Sequence, residues 1–511
     1  MLASLRSAAL VGVEALPVIV EVDVSYGLPI FTMVGLPDAS VRESRDRVRS
    51  AIRNSGFQFP AHRVTVNLAP ADVRKAGASY DLPIALGILA ASGVLVGREV
   101  GDVVLLGELS LDGSIQPIRG VLPVAAAAWR EGKAAILLPR ANAGEARVVT
   151  GLTVLPVDSL LEAVRALNQP IADAAAALSK VMPKPLTNLS SRPAEAAYDF
   201  ADVAGQTVAK RALEVAAAGA HNVLLIGAPG GGKTMMARRL PGILPPLAFD
   251  EALECTSVHS VAGTLPIGTA LISERPFRAP HHTISEPAMV GGGKIPRPGE
   301  ICLAHNGVLF LDEFAEFERS VLESLRQPLE EGRITVTRLA RTASFPARFM
   351  LVAAMNPCPC GFRGDRRRLC RCSAPQLQRY VGKISGPLLD RIDLIVEVPA
   401  TGAYEPQESH EEPSKDIRDR VAVARRRQVD RFGGGYGLLN SQLIGSVLRE
   451  HCALDRPGTK LLQAAIRKFC LSARGTDRVL RVSRTIADLA GATNIGAEHL
   501  AEALQYRLIF A

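Results

Sequence analysis

The sequence lacks an apolar run long enough to cross a membrane. The stretch LPIALGILAASGVLVG at 82–97 falls short of the roughly 20 residues a spanning helix needs. Its small residues suit a buried helix instead. A secretory leader is not expected, because MLASLRSAALVGVE has only a short apolar stretch before Glu14 and no clean cleavage site. Cysteine is scarce, with eight in 511 residues, which argues against a secreted disulfide framework and fits reduced thiols in a cytoplasmic protein. Internal repeats and long low-complexity tracts are missing too.

What remains is an ordinary globular composition, 48% hydrophobic and 22% charged, in a chain too long for one core. The net charge of +8 hints at a polyanionic partner such as nucleic acid. Three parts are expected. Residues 1–168 mix strands and helices: PVIVEVDV (17–24) and HRVTVNLAP (62–70) alternate like half-buried strands, and DASVRESRDRVRSAIRNSG reads as a helix capped by Asp38 and stopped by Gly56. A Pro- and Ser-rich linker covers 169–197, an α/β unit follows over 198–400, a hinge loop spans 401–414, and helices fill 415–511.

The α/β unit opens with NVLLIGAPGGGKTMMARRL (222–240): a short apolar strand, then GxxxxGKT, then a helical pattern. Main-chain N–H groups of Gly230 to Thr234 would cradle phosphates at a helix N-terminus. Lys233 would reach the terminal phosphates of ATP, and Thr234 would hold Mg²⁺. Further on, GVLFLDE (307–313) is a strand ending in two acids, with Asp312 on the Mg²⁺ side and Glu313 placed to polarise the attacking water. A third strand, RFMLVAAMNP, ends at Asn356, whose amide would orient that water. Arg391, before the strand in GPLLDRIDLIVEV, would act on a neighbouring subunit's γ-phosphate, and Arg474 in LSARGTDRVL would close over the same phosphates.

This order resembles AAA+ ATPases of the magnesium-chelatase and MCM-like branch, specifically the YifB/ComM family, over the whole chain. DFADVAGQ (199–206), RPFRAPHHTIS (275–285), AAMNPCPCG (353–361) and SGPLLDRIDL (385–394) carry the resemblance alongside the motifs above. It implies an α/β AAA+ core with a C-terminal helical lid, assembled as a ring and expected to be a homo-hexamer. It assigns Walker A to Gly227, Ala228, Pro229, Gly230, Gly231, Gly232, Lys233 and Thr234, and Walker B to Asp312 and Glu313. It makes Asn356 sensor 1, Arg391 the arginine finger and Arg474 sensor 2. The implied activity is that of a DNA-dependent ATPase and helicase that drives branch migration during uptake of transforming DNA.

Two basic segments bear on the DNA. ITVTR and ASFPARF (334–349) read as a β-hairpin, which in related rings points into the pore, with Arg338 and Arg341 near its tip. NPCPCGFRGDRRRLCRCSAPQ (356–376) carries Arg366, Arg367 and Arg368 between two cysteine pairs. Cys358, Cys360, Cys370 and Cys372, spaced CxC-x9-CxC, suffice for a tetrahedral structural Zn²⁺; reduced free cysteines are the alternative, since CxC is tighter than the usual CxxC. His281 and His282, with His259, are not expected to bind a metal; the resemblance places RPFRAPHHT in an inserted loop near the pore.

The first 168 residues resemble the Lon-protease-like (ribosomal S5-like) α+β fold. Ser79 falls on the Lon nucleophile, but Val124 stands where the general-base lysine belongs, and a hydroxyl without a base is a weak nucleophile. The domain is therefore expected to be non-proteolytic. A magnesium-chelatase-type motor that remodels a protein partner is the runner-up function, and an ATP-dependent protease stands third.

Overall fold

Two sheets carry the fold, the first with alternating strands such as Glu14–Ser25 and Arg63–Ala69 and the second built from apolar runs. The computed structural model describes residues 1–72, 75, 77–179, 198–266, 268–293, 296–338, 341–364, 368–399, 411–432 and 438–507. The first sheet holds β1 (Leu2–Val11), β2 (Glu14–Ser25), β3 (Phe31–Val34), β4 (Arg63–Ala69), β5 (Val103–Leu105), β8 (Ala135–Pro139) and β9 (Thr153–Val157), while β6 (Glu108–Leu109) and β7 (Ile115–Gln116) make a small ribbon beside it. Its order is β3-β4-β2-β1-β5-β8-β9. β1, β2 and β4 pair antiparallel, and β1, β5, β8 and β9 pair parallel. The helix Ala39–Asn54 starts where expected, with the Asp38 carboxylate accepting from the Val41 N–H at 2.9 Å. The helix Asp81–Ala91 lies in the core, with Leu82, Ile84, Leu86, Ile88 and Leu89 fully buried.

One boundary is corrected. The linker expected from residue 169 begins later, because Ile171–Ser179 is a helix whose Ala174 and Leu178 are buried in the first core. The Glu99 carboxylate accepts from the Ile171 N–H at 2.8 Å and fastens its start. The first domain thus reaches at least Ser179. Residues 180–197 and 401–410 lie outside the described residues.

The second sheet is all parallel. β10 (Val223–Gly227), β11 (Phe277–Arg278), β14 (Val308–Leu311), β17 (Met350–Met355) and β18 (Leu394–Val398) take the order β11-β14-β17-β10-β18. β10, β14 and β17 are buried at every position, as a parallel sheet covered on both faces requires. Between β11 and β14 a small ribbon pairs β12 (Gly291–Gly292) with β13 (Arg297–Pro298). Before β17, β15 (Arg333–Arg338) and β16 (Arg341–Pro346) form the expected hairpin, with Arg338 opposite Arg341 at its end. Leu339, Ala340 and the side chains of both arginines lie outside the described residues. The hairpin's Ile334, Val336, Ala343 and Phe345 face the core, and the β1–β2 turn sits on it: a Cβ at Gly12 would meet the Ser344 carbonyl at 2.7 Å.

Helices Ser414–Arg431, Gly445–His451, Arg456–Phe469, Ala473–Leu489 and Ala497–Gln505 form the C-terminal lid. It is bonded to the core. The Arg425 guanidinium donates to the Ala217 carbonyl at 2.8 and 3.0 Å, and the buried His221 ring contacts Thr485 Oγ1 at 2.7 Å and Asp393 at 3.3 Å. Among the described residues no helix is long and apolar enough to cross a membrane.

Candidate active site

β10 ends at Gly227, and the chain turns through Gly230 and Gly232, both at positive φ (78° and 84°), into the helix Lys233–Ile243. Glycine is what that turn demands. Lys233 is almost fully buried and donates to the carbonyls of Gly227 (2.6 Å) and Ala228 (2.9 Å) and to Asn356 Oδ1 (3.3 Å). Burial lowers its pKa, with Asp312 pulling the other way. Thr234 Oγ1 donates to Asp312 Oδ2 at 2.6 Å. Three parallel strands therefore bring Lys233, Thr234, Asp312 and Asn356 to one point at their C-terminal ends, where ligands of open α/β sheets bind.

Glu313 stands beside them in the left-handed region, φ 53°, with its main-chain N–H on Asp312 Oδ1 at 2.9 Å. Its carboxylate meets His282 Nδ1 at 2.8 Å. Sequence reading missed this partner: His282 follows β11, and only the parallel pairing of β11 with β14 brings the two together. Gln206 was missed as well. Its side-chain amide donates to the carbonyls of Gly231 (3.3 Å) and Pro399 (2.8 Å), tying the glycine loop to the end of β18.

Arg391 and Arg474 line one cavity of about 770 Å³, together with Asp390, Asp393, Glu330 and Arg478. Arg391 pairs with Glu330, and the Asn222 amide donates to its carbonyl at 2.9 Å. It precedes β18, which runs parallel to β10 with Val223 opposite Leu394 and Gly227 opposite Val398. A strand length of roughly 16 Å thus separates Arg391 from the glycine loop of its own chain, so phosphate contact by Arg391 requires a second chain.

The four clustered cysteines converge. Their sulfurs lie within 4.8 Å of one another; Cys358–Cys360 is 3.3 Å, and Cys360–Cys370 and Cys358–Cys370 are both 3.7 Å. A tetrahedral Zn–S distance near 2.3 Å sets sulfur pairs about 3.8 Å apart, so the donor set fits zinc, and the tight CxC spacing keeps no ligand out. Main-chain N–H groups of Phe362 and Arg371 donate to Cys360 and pull its thiol down to about 6. None of the eight cysteines forms a disulfide. Arg366 and Arg367 lie outside the described residues; Arg368 stacks over the Phe362 ring at 5.1 Å.

In the first domain Val124 is buried in an apolar cluster with Val104, Leu106 and Ile136, so it offers no base. Lys75 is buried and bonded to the Pro70 carbonyl.

Fold and site define the class as a magnesium-chelatase-like AAA+ protein. Three family profiles cover most of the chain: "Magnesium chelatase, subunit ChlI" over 199–405, "Subunit ChlI of Mg-chelatase" over 20–142, and "Magnesium chelatase, subunit ChlI C-terminal" over 411–507. The chain is 45% identical to competence protein ComM of Haemophilus influenzae, across 99% of this chain and 97% of that one. It is 44% identical to YifB of Escherichia coli, with the same coverage. To the magnesium-chelatase 38 kDa subunit of Rhodobacter capsulatus it is 28% identical, across 61% of this chain and 88% of that one. The chain belongs to the YifB/ComM family.

Proposed function

We propose that this protein is an ATP-driven ring motor, a hexamer, that acts on DNA and moves branch points in recombination intermediates during uptake of transforming DNA. The supporting observation is the assembled Lys233–Thr234–Asp312–Asn356 cluster in a chain so similar to a competence protein along its whole length. Lys233, now bonded to the carbonyls of its own loop, is the cation that would turn to the β- and γ-phosphates. Thr234 and Asp312 would hold Mg²⁺, which supplies charge neutralisation at the phosphates. Glu313 would polarise the attacking water and Asn356 would orient it. Arg391 and Arg474, on one cavity of a neighbouring chain, would stabilise the charge that develops on the γ-phosphate.

DNA contact is assigned to the hairpin arginines Arg338 and Arg341 and to Arg366, Arg367 and Arg368 of the cysteine loop. A ring multiplies such phosphate contacts. The test is movement of a synthetic four-way junction with ATP, using Lys233→Ala as control. Wild type should move the branch point until the junction separates into two duplexes, and the variant should not. ATP turnover without junction movement would count against the reading. Changing Arg338 and Arg341 together to alanine should reduce the slope of log affinity against log salt by about 2 for each subunit in contact with the DNA.

The chelatase-type motor remodelling a protein partner is the second reading, favoured by the likeness to the magnesium-chelatase subunit. It predicts ATP turnover indifferent to DNA. The first domain is read as non-proteolytic, because Val124 stands in its apolar cluster where a base would be needed.

A further inference from the structure

The cysteine centre and the nucleotide loop touch, and three contacts make the link. Asn356 closes β17, whose six residues are all buried, and Cys358 follows two residues later with its side chain fully buried. Gly361 lies at φ +84° directly on the glycine loop: a Cβ there would meet Pro229 Cδ at 2.8 Å and Cγ at 2.9 Å. No gap is left for even a methyl group, and the proline ring is rigid. The main-chain N–H of the same Gly361 donates to the Cys358 carbonyl at 2.9 Å. Finally, the helix Ala374–Val381 begins two residues after Cys372 and carries the buried Tyr380, whose hydroxyl pKa is pushed up to about 12 by burial while the Asn356 N–H pulls it down.

A path therefore runs from Cys358, through its carbonyl and the Gly361 N–H, to Pro229, and a second runs along the chain from Cys358 to Asn356. The four sulfurs sit at separations that suit one tetrahedral ion. We propose that this centre binds one zinc ion and that zinc occupancy holds Pro229 and Asn356 in the arrangement that binds MgATP, so that zinc loss or cysteine oxidation turns down the ATP site. The proposal rests on the nucleotide reading given above. Physically it follows from stiffness. Four metal–sulfur bonds cross-link 358–360 to 370–372 and fix the turn that carries Gly361. Without them that turn is held by weaker contacts, and both the proline and the asparagine lose their backing. Structural zinc sites supply conformational energy in this way. Cysteine oxidation, by a peroxide for example, consumes the thiolates the ion requires.

The test uses the full-length protein. Elemental analysis should find one zinc per chain. Binding of a fluorescent ATP analogue with Mg²⁺ should weaken at least tenfold when an organomercurial releases the zinc, and should recover when thiol and zinc are restored. Gly361→Ala breaks the path at its contact point and leaves the cysteines alone; it should keep its zinc and still lose at least tenfold in nucleotide affinity. A protein that purifies without zinc and takes none up would overturn the proposal. So would affinity unchanged within twofold after complete zinc release, or a zinc-loaded Gly361→Ala that binds nucleotide like wild type. Should the variant fail to fold, the release-and-restore cycle on wild type decides alone. Wild type that holds zinc and binds no MgATP would remove the nucleotide reading, and this coupling with it.

Discussion

A carboxylate proposed to polarise water must point the right way when the phosphate arrives, and the His282 ring is in contact with the carboxylate of Glu313. The 2.8 Å contact fixes one carboxylate oxygen, much as an acid fixes the ring of a catalytic histidine. We expect His282→Ala to lower kcat for ATP about tenfold with nucleotide affinity unchanged, and His282→Asn, which keeps a donor, to recover most of the loss. An alanine variant with wild-type kcat would remove the positioning role. Glu145 makes a different residue-scale prediction, at the contact between the first domain and the ATPase core. It bonds to the Ser260 hydroxyl and accepts from the Leu122 N–H at 2.8 Å, while burial raises its pKa above the ordinary 4.5. The folded state therefore holds that proton more tightly than the unfolded chain. The stability this gives is complete below pH 4.5 and is lost as pH rises through the folded value. Glu145→Gln has no proton to lose, so its melting temperature should gain on wild type as pH rises above 4.5. A difference that stays flat across that range would contradict the assignment.

Elements whose residues are dictated by local chemistry could be read from the sequence directly. The glycines at 230 and 232, the uniformly apolar β10, β14 and β17, and the Asp38 cap each have a local cause, and the structure has each at the expected place. The hairpin at β15–β16 was legible from its alternation of apolar and polar residues. The helix Ile171–Ser179 was not: its IADAAAALS has little contrast between faces, follows a proline, and owes its place to burial of Ala174 and Leu178 in the first core. Contacts between elements were illegible for the same reason. Nothing local says that His282 meets Glu313, that Gly361 rests on Pro229, or that Glu145 meets Ser260, since each depends on how strands and domains are stacked. The convergence of four sulfurs lies between these cases, because their spacing suggested it and only the fold of the loop could deliver it.

At the scale of the whole molecule, one protomer holds half of each proposed catalytic site. The glycine loop lies at one end of β10, and Arg391 with Arg474 lies toward the other end of the paired β18. Heterologous contacts that close a ring would join the halves. Arg391→Ala should therefore keep nucleotide binding and lose turnover, while Lys233→Ala should lose both. Equal mixtures of the two inactive variants should regain roughly a quarter of wild-type turnover, because an interface between randomly mixed chains has that chance of two intact halves. Mixtures as inactive as their components would argue against a shared site. The central claim, that ATP turnover in this chain is harnessed to DNA, is tested most directly by measuring ATP hydrolysis with and without single-stranded and forked DNA, with Glu313→Gln as the inactive control. The account predicts strong stimulation by DNA in wild type and none in the control. Normal basal turnover that DNA leaves unchanged would contradict it and favour a protein partner instead.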